Sequence, residues 1–216
     1  MGWKCSLLFV GDVDTGYFST KPQHSPVKAR EILRALGQKV ESVSDEHYMD
    51  IFPAKNKVVI GAYEKGAYIA CSELADDLEV GTVTYMVKAM QCYPSGNLLA
   101  LALHSGVNYS AFAYYKNGEL QRRFACAAES GIIGQSGKLL PEEEKAYEGE
   151  YERDGQRLFP RQFDFQPEPM EFTIDAVGEE IVFALAARPL GQPLDRADKE
   201  CLVTESFTIK PAWKFW

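Results

Sequence analysis

The chain has 216 residues, of which 46% are hydrophobic and 25% charged, as in ordinary globular proteins that bury a core. Its formal net charge is −8 and no stretch collects lysines or arginines, so we expect no nucleic acid as a partner. The acidity suits either solubility alone or a basic protein partner. The longest apolar runs are far too short to span a bilayer, so we expect no membrane partner either.

The cysteines predict a reducing compartment. There are five of them, they lie far apart, and none forms a C-x-x-C pair. Cys5, Cys71 and Cys126 have the apolar surroundings typical of reduced, buried thiols. The amino terminus has no positively charged stretch followed by a long apolar run, so no signal peptide is predicted. We therefore expect a cytoplasmic protein.

The amino-terminal residues predict a strand and then a helix. Residues 4–10 form a short apolar run stopped by Gly11, which predicts a buried strand. Ser25 and Pro26 supply an N-cap and a first-turn proline, and the apolar periodicity after them predicts a helix that ends at Gly37.

The next segment mixes strand and helix signals. We expect a second strand over 39–44, one or two helical turns over 45–52, and a hairpin over 57–72. Residues 80–92 fit either a helix or a strand, and their helical spacing of apolar side chains favours a helix.

Three apolar runs over 97–105, 109–115 and 119–128 predict a three-stranded meander. Asn117 and Gly118 join the last two runs and form a strong hairpin signal.

The carboxyl-terminal third has two parts. Residues 130–168 are rich in glycine, proline and charge, which predicts a long irregular surface excursion with a helix near 141–147. Residues 169–216 predict a helix–strand unit. We expect a single domain over 1–216 of class α+β, with an antiparallel or mixed sheet of hairpins packed by a few helices.

Asp12 and Asp14 follow the first strand and are weak catalytic candidates. A strand followed by D-x-D begins the haloacid-dehalogenase-type phosphatases, but Thr15 comes too early here and no later strand ends in paired acids. Asp14 also opens the D-T-G tripeptide of aspartic proteases, but only one copy is present and Tyr17 follows where a small residue is expected. A Gly/Asp turn whose carboxylates cap backbone amides is the simpler interpretation.

His104 ends an apolar strand beside Ser105 and is the third weak candidate. No G-x-S-x-G elbow or triad order accompanies it, so a buried histidine bonded to backbone is favoured. The three histidines lack ligand spacing, so we expect no metal and no cofactor. The glycine-rich stretch before Lys138 imitates a phosphate loop but lacks the Ser or Thr that should follow the lysine. The acidic run 142–144 predicts a solvated helix start.

Several diffuse motifs resemble an uncharacterised bacterial family of domains of unknown function. The family pattern opens M-G-x-K before an apolar strand, then has a histidine, an aromatic strand, a glycine turn, an arginine-bearing strand and G-x-x-L-P-x-E. Here these positions are Met1, Gly2, Lys4, His104, Phe112, Tyr115, Gly118, Arg122, Gly137, Leu140, Pro141 and Glu143. The chain departs from the pattern at "YYKNG", where Trp and an acidic turn are expected. The resemblance implies a bacterial cytoplasmic protein and makes no residue catalytic.

Two functions remain. The first is a non-catalytic module of the immunity or regulatory type that binds another protein, because no complete catalytic or cofactor motif is present. The alternative is a hydrolase of unrecognised type in which Asp12, Asp14, His104 and Glu129 converge at strand ends. For binding, we expect an exposed apolar patch, with the aromatic residues near the carboxyl terminus (Trp213, Phe215 and Trp216) as one possible source.

Overall fold

The computed structural model describes residues 2–80 and 84–210. The strands are β1 (Lys4–Gly11), β2 (Val40–Tyr48), β3 (Lys57–Ala62), β4 (Gly66–Ala70), β5 (Asn97–His104), β6 (Tyr109–Lys116), β7 (Glu119–Ala127), β8 (Gly131–Gly137), β9 (Tyr151–Arg153), β10 (Gln156–Arg161), β11 (Met170–Phe172) and β12 (Val203–Ile209). The helices are α1 (Pro26–Ala35), α2 (Glu73–Val80), α3 (Thr84–Cys92), α4 (Pro141–Ala146) and α5 (Ile174–Leu190).

Nine of the strands form one sheet, in the order β2-β12-β3-β4-β1-β5-β6-β7-β8. Every pair of neighbours in it is antiparallel. A separate sheet of three short strands has the order β11-β10-β9. The α+β class with an antiparallel sheet is therefore confirmed. The strand order, which the sequence leaves open, places β1 at the centre.

Both faces of the large sheet are covered. Leu7 and Phe9 of β1 belong to the apolar cluster that contains the buried side of α5. Leu8 and Val10 point the other way, into the cluster formed with α1, α2 and α3. Because β1 and β5 have helices on both sides, nearly all of their side chains are buried, which explains why both strands are continuous apolar runs in the sequence.

The local signals of the sequence are confirmed at most elements. Ser25 caps α1, and its side chain accepts a hydrogen bond from the backbone N–H of Lys28 at 3.4 Å. The hairpin β3–β4 and the meander β5–β6–β7 form as predicted. Residues 84–92 of the ambiguous segment are helical, and 81–83 lie outside the described residues.

Two segments differ from the expectation. The helical turns predicted over 45–52 are wrong, since β2 continues to Tyr48, where it pairs with Val203 of β12. The irregular surface excursion expected over 130–168 contains β8, α4, β9 and β10. In both segments, a strand distant in sequence or the edge of the sheet supplies the backbone partners that local patterns do not reveal.

Gly11 marks the end of β1 and has little room. Its φ is +104°, and a Cβ added there would lie 2.2 Å from the carbonyl oxygen of Lys65 and 2.5 Å from the Cα of Gly66. Only glycine allows β1 and β4 to approach so closely at this end of the sheet.

We expect Gly11→Ala to lower the free energy of unfolding by about 3 kcal/mol, because it combines left-handed strain with contact against backbone atoms that have little freedom to move. Gly118→Ala is the matched control. It also has a positive φ, of +80°, but no atom within 4 Å of the added Cβ, so it should lose about 1 kcal/mol. Denaturant unfolding measures both. Equal losses would contradict the role given to the close approach.

Candidate functional site

The carboxylate of Asp14 is held by three different elements of the sheet end. Asn97 at the start of β5 donates its Nδ2–H to Oδ2 at 2.6 Å, and the Tyr114 hydroxyl of β6 donates to the same oxygen at 2.9 Å. Arg188 of α5 donates from Nη1 to Oδ1 at 3.4 Å. Burial and the bond to Asp14 raise the pKa of Tyr114 to about 12. Asp14 therefore connects the loop after β1 to two strands and a helix.

Arg188 extends this network to α4. Its Nε and Nη2 each donate to a carboxylate oxygen of Glu142 at 2.7 Å, and its guanidinium lies 4.7 Å from the centre of the Tyr114 ring. Its backbone carbonyl accepts the N–H of Gly16 at 2.7 Å. Burial alone would lower the pKa of Arg188, but the bonds to Glu142 and Asp14 raise it, so the side chain stays charged.

Asp12 lies beside this network and is half-buried. Its Oδ1 accepts the Thr15 hydroxyl at 2.8 Å, and its backbone N–H donates to the carbonyl of Lys65 at 2.9 Å. Asp12 and Asn97 line an open cleft of about 580 Å³. The sequence predicts that the two aspartates cap backbone amides. The bonds found to their carboxylates instead come from side chains.

The structure does not bring the aspartates and His104 together. In the β1–β5 pair, Gly11 faces Asn97 while Lys4 faces His104, so the two ends are separated by seven residue steps. At about 3.4 Å per residue this is about 23 Å. Glu129 is exposed in the turn between β7 and β8, at the same end as His104.

His104 has a different setting from the one expected. Its Nδ1 is buried and has no hydrogen-bond partner in the part of the chain that the structure describes. The neighbouring Ser105 hydroxyl donates to the carboxylate of Glu179 on α5. The nearest polar groups at this end therefore connect the strand to a helix.

A buried ion pair, which the sequence analysis missed, locks the last two strands to α4. Glu143 is 0% exposed, although the acidic run around it predicts a solvated helix start. Arg122 of β7 donates from Nη2 to Glu143 at 2.7 Å and from Nη1 to the carbonyls of Ser136 and Gly137 at 3.4 and 3.3 Å. The backbone N–H of Leu140 donates to Glu143 at 2.9 Å.

The signal for this pair was present in the sequence. Arg122, Gly137, Leu140 and Glu143 are four of the positions that carry the resemblance, and all four meet in this cluster. A glutamate three residues after a helix N-cap is also a local signature of a helix start, since its carboxylate reaches back to the N-cap N–H.

An aromatic turn, defined here as residues 162–166, projects from the segment between β10 and β11. The backbone N–H of Gln166 donates to the carbonyl of Phe163 at 3.0 Å. The Gln162 amide donates to the carbonyls of Phe163 and Gln166 at 3.2 and 2.7 Å. Phe163 packs on Phe172, and Phe165 stacks on Phe163 with ring centres 5.3 Å apart. Phe165 is nevertheless 77% exposed.

Two further observations concern the described part of the chain, residues 2–80 and 84–210. None of its helices is long and apolar enough to cross a membrane. Its His, Cys, Asp and Glu side chains form no group of three or more that could hold a metal ion. Trp213, Phe215 and Trp216 lie outside the described residues.

Comparison with known proteins gives one match. The model of the family DUF6928, described as a family of unknown function, matches residues 5–198. No curated protein matches the chain, and no solved structure matches it.

Breaking the buried pair should be far more costly than breaking an exposed one. We expect Arg122→Met to lower the free energy of unfolding by about 3–5 kcal/mol, because it leaves Glu143 buried without its partner. Arg153→Met is the control. It removes an exposed pair with Glu171 and should change stability by about 1 kcal/mol or less.

The double variant Arg122→Met with Glu143→Leu tests the same point, because it leaves no uncompensated buried charge. Denaturant unfolding should show that it loses less than Arg122→Met alone. Additive losses would contradict coupling between the two side chains.

Proposed function

The chain belongs to DUF6928, a family of unknown function, and we propose from its surface that it acts by binding another protein, with Phe165 as the anchor. The observation that carries this proposal is the exposure of a large aromatic side chain, 77%, on a turn that is already formed. Aromatic side chains of this kind dominate the energetics of many protein interfaces.

The hydrogen bonds of the aromatic turn favour binding because they reduce the entropy that binding must overcome. Gln162 ties both ends of the turn, and Phe163 holds the ring of Phe165 from one side. Pro167 and Pro169 follow and restrict the backbone further. An anchor that is held in one place before the encounter loses little conformational freedom in the complex.

Charge around the anchor indicates the chemistry of the partner. Asp164 and Glu168 flank Phe165, both are exposed, and the whole chain carries a formal net charge of −8. We infer a partner surface with an apolar pocket and a basic rim. Attraction between exposed charges is screened by salt, so association should slow as ionic strength rises.

The sheet end supports a non-catalytic role. Asp14 accepts three hydrogen bonds and faces Arg188, so its carboxylate is committed to structure. The candidate histidine lies at the other end of the sheet. The five free cysteines, four of them buried, support the reducing cytoplasm as the compartment in which binding takes place.

A photo-crosslinking amino acid placed at position 165 should join the protein to a discrete partner in a lysate of its own organism. The same group at Val27, which is 67% exposed on α1, is the matched control and should give no such product. Unlabelled wild-type protein should compete with the crosslink, and Phe165→Ala should compete at least tenfold less well. Its stability should change by less than about 0.5 kcal/mol, because the side chain is exposed.

The proposal fails if positions 165 and 27 give the same products. It also fails if Phe165→Ala competes as well as the wild-type protein.

A further inference from the structure

The two edges of the nine-stranded sheet are protected to different degrees. An edge strand exposes a row of backbone N–H and C=O groups, which proteins usually shield with charges, bulges or covering segments. β2 forms one edge and β8 the other. β2 carries Glu41 and Asp45, and its register against β12 shifts twice. It therefore has the usual protection.

β8 has much less protection. Its seven residues, GIIGQSG, include no charge and no proline, and its register against β7 shifts once, at Ile133. Ile132 and Ile133 are both exposed. Within residues 2–80 and 84–210, no strand pairs with its outer side. An uncharged edge with exposed apolar side chains is suited to accept another strand.

The charges at the two ends of β8 define the strand that fits. Glu129 lies just before β8 and Lys138 just after it, and both are exposed. An incoming antiparallel strand needs a basic residue opposite Glu129 and an acidic residue opposite Lys138, with no charge between them. β8 with its own two flanking residues meets each of these conditions.

We propose that β8 pairs antiparallel with β8 of a second copy of the chain, which joins the two large sheets across a two-fold axis. In the register that this predicts, Gly134 faces Ile133 of the partner copy at the axis. Glu129 then faces Lys138 of the other copy at both ends, and the exposed isoleucines lie near the centre. A two-fold interface repeats each contact twice, so both charge pairs form together.

Parallel pairing of the same strands would not fit. It would place Glu129 against Glu129 and Lys138 against Lys138, and like charges directly opposite each other destabilise a strand pair. The aromatic turn is not used in this pairing, so the dimer and the binding of another protein through Phe165 stand or fall separately.

Analytical ultracentrifugation of the full chain tests the proposal. We expect a concentration-dependent rise in mass from 24.2 kDa towards twice that value. Glu129→Lys alone and Lys138→Glu alone should each weaken the dimer by about tenfold, because each turns two attractive contacts into two repulsive ones. Glu41→Lys on the β2 edge is the matched control and should leave the dimer unchanged.

The decisive arm combines the variants. An equimolar mixture of Glu129→Lys and Lys138→Glu should form a heterodimer as strong as the wild-type dimer, and the double variant carrying both changes should recover self-association. Phe165→Ala should dimerise normally. A wild-type chain that stays at 24.2 kDa at all concentrations would overturn the proposal, as would a dimer unaffected by either single change or one not restored in the mixture.

Discussion

The guanidinium of Arg188 lies between the carboxylates of Asp14 and Glu142 and beside the ring of Tyr114. The loop after β1, strand β6, helix α4 and helix α5 are all joined through this one side chain. It is mostly buried, so each charge in the group needs the others, and removal of the arginine would leave two carboxylates close together without a counter-charge. This requirement makes the acidic loop part of the framework.

That constraint changes the meaning of the two aspartates. In sequence they have the appearance of an active site at the end of a strand. In the structure the carboxylate of Asp14 is fully engaged, and the antiparallel register places His104 at the far end of the same strands. The features left available for function are on the surface: a preformed turn that exposes Phe165, and an edge strand that lacks charge. Both are suited to contacts between proteins.

The sequence predicts elements whose signals are local. Ser25 and Pro26 mark a helix start, and Asn117 and Gly118 mark a hairpin, because capping and turn geometry depend on a few adjacent residues. The extension of β2 to Tyr48 could not be predicted, since its partner strand follows more than 150 residues later. The strand character of β8 was also hidden, because its glycine-rich sequence has no alternating pattern and the edge of β7 supplies its hydrogen bonds.

The candidate site shows the same division. Glu143 belongs by composition to an acidic, solvated run, and only the arginine of a preceding strand makes its burial favourable. The exposure of Phe165 was equally out of reach, because a phenylalanine between charged residues is as consistent with a buried contact as with an exposed one. Burial of single side chains depends on contacts that are distant in sequence.

The central claim is that this protein works through its surface and that its acidic sheet end is structural. Hydrogen–deuterium exchange, measured on the free protein and on its complex with the partner recovered through position 165, tests this most directly. The account predicts slower exchange in the complex over residues 162–166, with unchanged exchange over residues 11–16. Protection at the loop after β1 and at the cleft beside Asp12, with the aromatic turn unaffected, would contradict it.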